Sequence, residues 1–424
     1  MERLTLIRLS NTLAVRLVSF SILTLSIALS WGQVPSNKEA GVNKTLIQPY
    51  IDTSINYDDN PHLLSNDQRQ ADFFGEIYPS LGVGRSNELY RLDGFAWFRG
   101  RYYLRFPADD ANSWQEQFRL GIGRVENWHI EFNESYSHMI DYYRTFQSAD
   151  SPSDGSGLVS PNATDLLDRN ERVERKMFSA SSSVSGPLSD KMLLTAKYEY
   201  KDVIYLSQDL LNTKEQFSSA EIQHKLTDKS KALLVIEYTE MDNDSLLQPA
   251  QYYTLRTGWR WQGTRKGMLK GSLGFWGMSL DRSKAASETT DSGLSYSLLW
   301  LWQISPNISF WITGRNEMAL SPDSPQNSKL VNRINARIKY IPNRRMNYII
   351  ESGYQDETYT LSESMINNVP ITRRGQLFHI GFRGEYNAVR GFIIYSEIWQ
   401  DNAKDNILGN YIDSRFTVGT RIEY

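Results

Sequence analysis

The sequence predicts an all-β fold: a transmembrane, antiparallel, up-and-down β-barrel of about 18 strands with no plug domain. Three observations carry this prediction. From about residue 45 to the last residue, stretches of roughly ten residues alternate apolar with polar side chains at a spacing of two, the period of a strand. The connectors between them alternate short with long, as in barrels with tight turns on one side and loops on the other. The chain also opens with an export-type segment and ends on an aromatic residue, Tyr424.

Taken in order, the N-terminus comes first. Arg3, Arg8 and Arg16 precede an apolar stretch from Leu17 to Leu29, and the small residues Ser30 and Gly32 follow at signal-peptidase spacing. Residues 1–32 are therefore expected to be a secretory signal peptide, with the mature chain beginning near Gln33. The apolar stretch is short for a bilayer-spanning helix. Residues 33–44 then form a short periplasmic linker, too small for a plug, and 45–424 form the barrel.

Strands are expected near 46–57, 71–84, 89–106, 114–124, 128–138, 176–186, 192–204, 215–226, 231–241, 250–262, 268–280, 292–304, 308–319, 329–341, 346–360, 375–386, 390–401 and 411–424. The alternation is clearest late in the chain. In "RINARIKY", Ile334, Ala336, Ile338 and Tyr340 oppose Arg333, Asn335, Arg337 and Lys339. In "IDSRFTVGTRIEY", Ile412, Phe416, Val418, Ile422 and Tyr424 oppose Asp413, Arg415, Thr417, Arg421 and Glu423. Helices would need apolar spacings of three and four.

Short turns are expected at Ser86-Asn87-Glu88, Glu126-Asn127, Ser189-Asp190-Lys191, Thr227-Asp228-Lys229, Gly263-Thr264-Arg265, Ser305-Pro306-Asn307, Pro342-Asn343-Arg344 and Asn387-Ala388. Most carry the Asn, Asp, Gly or Pro of tight hairpins. The most apolar internal run, "LLWLWQISPNISFWIT", holds one of these turns, and Pro306 would break a helix at its centre. Long connectors include 58–70, 139–173, 242–249, 281–291, 320–328, 362–373 and 402–409, rich in Ser, Asp, Asn and Pro. The longest, 139–173, could fold inward and narrow a pore or sit outside as a cap.

Composition limits the function. The 424 residues carry a formal net charge of -3, with 46 Lys and Arg scattered rather than clustered, so a nucleic-acid partner is not expected. Cysteine is absent, which removes disulfides, thiolate metal sites and Cys nucleophiles. His62, His129, His138, His224 and His379 form no metal-ligand motif, and there is neither a nucleophile elbow nor a P-loop. His129, Glu131 and Ser135 share one strand face, but their spacing is loose for a triad. No enzyme, cofactor or metal is expected.

In a membrane barrel the apolar face meets lipid and the polar face meets the lumen. The strand "LYRLDGFAWFRGRYYLRF" places Arg91, Asp93, Phe95, Trp97, Arg99, Arg101, Tyr103 and Arg105 on one face. Later strands add Arg315, Glu317, Arg333, Arg337, Lys339, Glu351, Arg383, Glu385, Arg415, Arg421 and Glu423. These are the candidate pore-lining residues; they could select permeants by charge or pair with one another and hold the barrel round. Interfacial girdle candidates are Tyr50, Tyr57, Tyr78, Tyr90, Trp128, Tyr136, Trp259, Trp261, Tyr340, Tyr348 and Tyr386. Phe416, Val418, Ile422 and Tyr424 form the candidate signal for the outer-membrane assembly machinery.

The opening of the mature chain, "LIQPYIDTSINYDDNPHLLSNDQRQADFFGEIYPSLGVGRSNELYRLDGFAWFRGRYYLRF", resembles outer-membrane barrels of the beta-barrel porin 2 type, many of them associated with exopolysaccharide export. Tyr57, Asp58, Asp59, Asn60 and Pro79 carry most of the likeness, which covers about the first seventy mature residues. The resemblance implies a wide outer-membrane conduit for a secreted polysaccharide in a Gram-negative bacterium. It implies work beside a periplasmic polysaccharide-export protein and contact with lipid and lipopolysaccharide. Asp58, Asp59 and Asn60 could cap the first loop or hold a cation through carboxylate oxygens. Beside the conduit stand two other readings: a general or substrate-selective diffusion porin, and an adhesin or structural barrel acting through its loops.

Overall fold

A computed structural model describes residues 44–60, 70–87, 89–106, 110–123, 127–141, 173–206, 212–243, 249–264, 266–280, 289–320, 328–359, 364–366, 369–371, 374–405 and 409–423. Residues 1–43, where a signal peptide and linker are expected, the span 142–172 of the longest expected loop and Tyr424 lie outside the described residues.

The strands are β1 (Lys44–Asp58), β2 (Asp72–Ser86), β3 (Tyr90–Tyr103), β4 (Ala111–Gly123), β5 (His129–Asp141), β6 (Val173–Ser189), β7 (Met192–Tyr205), β8 (Thr213–Thr227), β9 (Ser230–Asn243) and β10 (Ala250–Thr264). They continue as β11 (Gly267–Leu280), β12 (Thr289–Ser305), β13 (Ile308–Leu320), β14 (Ser328–Asn343), β15 (Met346–Tyr359), β16 (Ser364–Ile366), β17 (Val369–Ile371), β18 (Arg374–Val389), β19 (Phe392–Asp405) and β20 (Gly409–Glu423). All but β16 and β17 form one sheet of 18 strands, each antiparallel to its neighbours in the chain. Pairing of β1 with β20, from Tyr50↔Glu423 to Asp58↔Arg415, closes the ring. Closure leaves no open sheet edge, the condition for strands to cross a membrane.

The tight turns follow from local chemistry. Asn87 Oδ1 accepts the Leu89 and Tyr90 amides at 2.8 Å, and Asn343 Oδ1 accepts those of Arg345 and Met346 at 2.9 and 3.1 Å. Thr227 and Ser305 hydroxyls do the same for Lys229 and Asn307. Pro306 and Asn307 form the turn between β12 and β13, so the apolar run is two strands. One turn differs from expectation. The sequence places it at Asn387-Ala388, but β18 continues through Val389 and the chain reverses at Arg390-Gly391. Gly391 adopts φ 78°, and the register shifts by a bulge between Asn387 and Val389. A second difference lies in 362–373, expected as loop, where β16 and β17 pair as a short hairpin.

Pro79 interrupts the β2–β3 ladder: pairing runs to Ile77↔Gly100 and resumes at Ser80↔Trp97. A proline has no amide hydrogen to give. Between β12 and β13 the ladder stops at Ser297↔Arg315, although both strands continue outward.

Outward positions carry the lipid-facing side chains. Ile55, Leu273, Phe275 and Leu294 are 68%, 61%, 69% and 62% exposed, an arrangement stable only against hydrocarbon. Outward aromatics pack against one another: Trp300 stacks on Trp302 of its own strand at 5.9 Å, Tyr340 on Tyr348 of the neighbouring strand at 6.3 Å, and Tyr57 is tilted against Phe73 across the β1–β2 pair at 5.0 Å. Two girdle candidates turn the other way. Tyr50 and Tyr78 occupy inward positions of β1 and β2, in phase with Asp52, Asn56, Phe74 and Glu76, and pack together at 5.4 Å. Their rings are aromatic for the lumen, not for the interface. No helix among the described residues is long and apolar enough to cross a membrane; the strands do so. The molecule is an outer-membrane barrel.

Candidate functional site: the inner wall

The inner wall is built from the alternate positions that the outward apolar residues leave. Each strand contributes polar side chains at a spacing of two, and the antiparallel register sets them beside those of its neighbours.

Three groups of bonds dominate. On β2 and β3, Glu76 accepts from Arg101 at 2.8 Å, with Arg99 at 3.6 Å. Arg99 lies over the rings of Tyr78 and Trp97 at 5.4 and 5.5 Å. Tyr50, Tyr78 and Trp97 form a continuous inward row, the last two 5.3 Å apart, and Trp97 donates to Gln115.

On β13, β14 and β15, Glu317 bonds Arg315 at 2.5 Å and Arg333 at 3.1 Å. Arg333 donates to Gln355, which donates to Glu357. Lys329 and Glu357 pair at 3.2 Å with neither side chain exposed. Arg337 bonds Glu351 at 2.7 Å and lies 4.8 Å over Trp311, an inward aromatic near the turn. Lys339 follows on the same face.

On β18, β19, β20 and β1, Arg383 bonds Glu385 at 2.8 Å and Glu397 at 3.2 Å and covers the Tyr395 ring at 4.3 Å. Trp399 donates to Glu397. Tyr395 and Arg421 both donate to Asp52, at 2.5 and 3.2 Å, and Arg421 also bonds Glu423. At the outer end Arg415 lies 2.8 Å from Asp413 and 3.4 Å from Asp58.

The remaining candidates fall as follows. Arg91 and Asp93 pair at 2.5 Å at the short-turn end of β3, where the Arg91 side chain is 63% exposed. Tyr103 belongs to an apolar cluster at the outer end with Phe74, Leu377, Ala403 and Tyr411. Arg105 lies past the end of β3 at Tyr103, its guanidinium 3.4 Å from the Ala71 carbonyl and its amide on Asp72. Phe416, Val418 and Ile422 face outward. Pro79 also lies at an outward position. The loose triad does not assemble: Ser135 Oγ pairs with Ser179 Oγ at 2.9 Å, while His129 lies 3.8 Å from Glu131.

The likeness residues tie the ends of the chain together. Asn60 amide nitrogen bonds Asp58 at 2.9 Å, and its side chain donates to the Ile412 carbonyl at 3.1 Å. Asp59 accepts the Ser414 amide at 2.6 Å and donates its own amide to Ser414 at 3.1 Å. They cap the first strand against the last.

Sequence reasoning missed several inward residues. Glu237 bonds Arg256, which also donates to Ser295 at 3.0 Å. Lys270 on β11 reaches Glu221 on β8 at 2.6 Å, across two intervening strands. The same period-two rule would have found them. On β9 the inward face mixes buried Leu233, Val235 and Met241 with Glu237, which blurs the alternation there.

No family model matches the sequence, and no curated protein matches it. Many solved structures do. Pseudomonas aeruginosa OpdK, crystallised with vanillate, aligns over 89% of this chain and 99% of its own at 9% identity and a TM-score of 0.46. Pseudomonas aeruginosa OccK2 (OpdF) aligns over 89% and 98% at 10% identity and 0.46. Acinetobacter baumannii OccAB3 aligns over 89% and 99% at 10% identity and 0.44.

Proposed function

We propose that the protein is a substrate-selective diffusion channel of the outer membrane of a Gram-negative bacterium, passing small anionic or hydroxylated solutes. The observation that carries this reading is the set of inward arginines, Arg99, Arg101, Arg333, Arg337, Arg383 and Arg421, each held by carboxylates on the same wall. Fixed, paired charges set a transverse field across the lumen, and that field sorts permeants by charge. The test is the reversal potential of the purified protein in a planar bilayer under a salt gradient. Preference for anions over cations supports the proposal, and preference for cations sinks it.

A second reading keeps the likeness to the beta-barrel porin 2 type: a conduit for an exopolysaccharide or capsular polysaccharide, working with a periplasmic polysaccharide-export protein. The aromatic row Tyr50, Tyr78, Trp97 with Arg99 above it favours it, because sugar rings stack on aromatic faces and anionic sugars pair with guanidinium. Deleting the gene and measuring surface polysaccharide separates the two. Unchanged polysaccharide leaves the diffusion channel; its loss supports the conduit.

A further inference from the structure

The outer third of the wall has a step in it. Between β12 and β13 the ladder ends at Ser297↔Arg315, and side chains take over beyond it. Asn316 bonds the Tyr296 amide and the Leu294 carbonyl, and Asp291 Oδ1 accepts the Ser292 amide. Met318 and Leu330 are in phase with the outward Ile312 and Ile334, yet both pack into a buried cluster with the inward Tyr252, Trp276 and Met278. A side chain in outward phase meets the inward face of β10 and β11 only if its strand passes behind them. The outer ends of β13 and β14 are therefore set in toward the lumen, behind β12.

The step leaves a groove of about 550 Å³, within the range of sites that hold small ligands. One side is the edge of β12, at Ser292, Leu294 and Tyr296; the other is the outward face of β14 and β15, at Asn332 and Thr358. Trp276 reaches the groove from the inner face because Gly293 has no side chain: a Cβ there would lie 2.9 Å from the indole ring. Trp276 is 5% exposed, and its Nε1 has no hydrogen-bond partner among the described residues. A buried donor left unsatisfied is costly, so an acceptor arriving in the groove is favoured.

Position and lining decide the occupant. The groove lies at the end of the barrel that carries the long connectors, and one strand further Asp356 bonds Arg374 and Gln376 at outward positions. Charges on the lipid-facing surface cost least at the membrane interface, so this height is the headgroup level of the outer leaflet. The lining offers hydroxyls, amides and an indole, with no Lys, Arg or His. That chemistry suits a sugar, whose hydroxyls pair with amides and whose ring stacks on an aromatic face. Beside it, Phe275 and Leu294 pair across β11 and β12 and are exposed, a surface for acyl chains.

We propose that this groove binds the sugar headgroup of an outer-leaflet glycolipid, with the acyl chains laid on Phe275 and Leu294. Such a site faces the membrane and works whichever solute crosses the lumen.

Native mass spectrometry of the full-length barrel, refolded in detergent micelles without lipid, tests this. The probes are rough lipopolysaccharide and phosphatidylglycerol, an anionic lipid without a sugar chain. We expect about one lipopolysaccharide retained per barrel, at about tenfold lower concentration than phosphatidylglycerol needs. Asn332→Leu and Thr358→Val put apolar side chains at outward positions and weaken retention by about fivefold each. Trp276→Phe removes the N–H, keeps a ring and does likewise. Gln400→Leu, outward on β19 and away from the groove, binds as the parent does. Three separate substitutions keep the test open if one of them fails to fold. Equal retention of the two lipids, no retained lipopolysaccharide, or retention unmoved by every groove substitution that folds overturns the site.

Discussion

Asn316 takes the place of a strand in the wall: its side-chain oxygen accepts the Tyr296 amide at 2.8 Å where the β12–β13 backbone ladder has ended. Its side-chain nitrogen donates to the Leu294 carbonyl at 2.5 Å. One buried amide thus satisfies two backbone groups that would otherwise face the membrane unpaired. Asn316→Leu keeps the size and removes both bonds. We expect a loss of about 1–3 kcal/mol for each group left unsatisfied, read as a lower denaturant midpoint for the folded barrel in micelles.

Arg415 stands between Asp58 and Asp413 at the closing seam, all three nearly buried. Arg415→Met leaves buried carboxylates without their guanidinium. The expected cost is on the order of 3–5 kcal/mol, measured as the shift in unfolding free energy. An unchanged midpoint would mean the seam does not depend on this pair.

Gly419 makes room for Tyr395 at the same seam. A Cβ there would lie 2.5 Å from the Tyr395 ring and 2.7 Å from the Thr53 carbonyl, and the backbone cannot yield. Gly419→Ala should destabilise by about 1–3 kcal/mol or more. Gly384→Ala, whose Cβ meets nothing nearer than 3.6 Å, is the control and should fold as the parent does. Heat-modifiable migration on gels reports both.

The Arg337–Glu351 pair gives a charge-swap test of the wall. Arg337→Glu should move the reversal potential toward cations. Adding Glu351→Arg restores the pair in the opposite order and should return the potential most of the way, since the net charge of the wall is then that of the parent.

Much of this fold is legible because a strand's period of two is a rigid rule. Once Ile334 and Ile338 face lipid, Arg333 and Arg337 must face inward, and every expected barrel strand has its counterpart. The turns were legible where Asn, Thr or Ser caps them, as at Asn343. One is displaced, at Arg390-Gly391, where the positive φ of Gly391 makes the reversal. Tyr50 and Tyr78 show the limit of reading residue type over phase: an aromatic near a strand end suggests an interface, but its parity places it inside. Partners remain hidden from sequence because register joins distant segments. Nothing local in "NYDDNP" foretells Asp413, and nothing near Lys270 foretells Glu221. The Asn316 bridge depends on a ladder ending early, which no local pattern marks.

If the charged inner wall lines the conducting path, a charge added at an inward position must change the current and one added at an outward position must not. The chain has no cysteine, so a single introduced one is unambiguous. Arg315 is inward with its side chain 35% exposed, and Ile55 is outward and 68% exposed. Single-channel current should be recorded from Arg315→Cys and Ile55→Cys before and after a negatively charged, membrane-impermeant thiol reagent. The expected result is a step down in current and a weaker anion preference for Arg315→Cys, with no change for Ile55→Cys. Current through Arg315→Cys that is untouched after the thiol has been shown to react would contradict it.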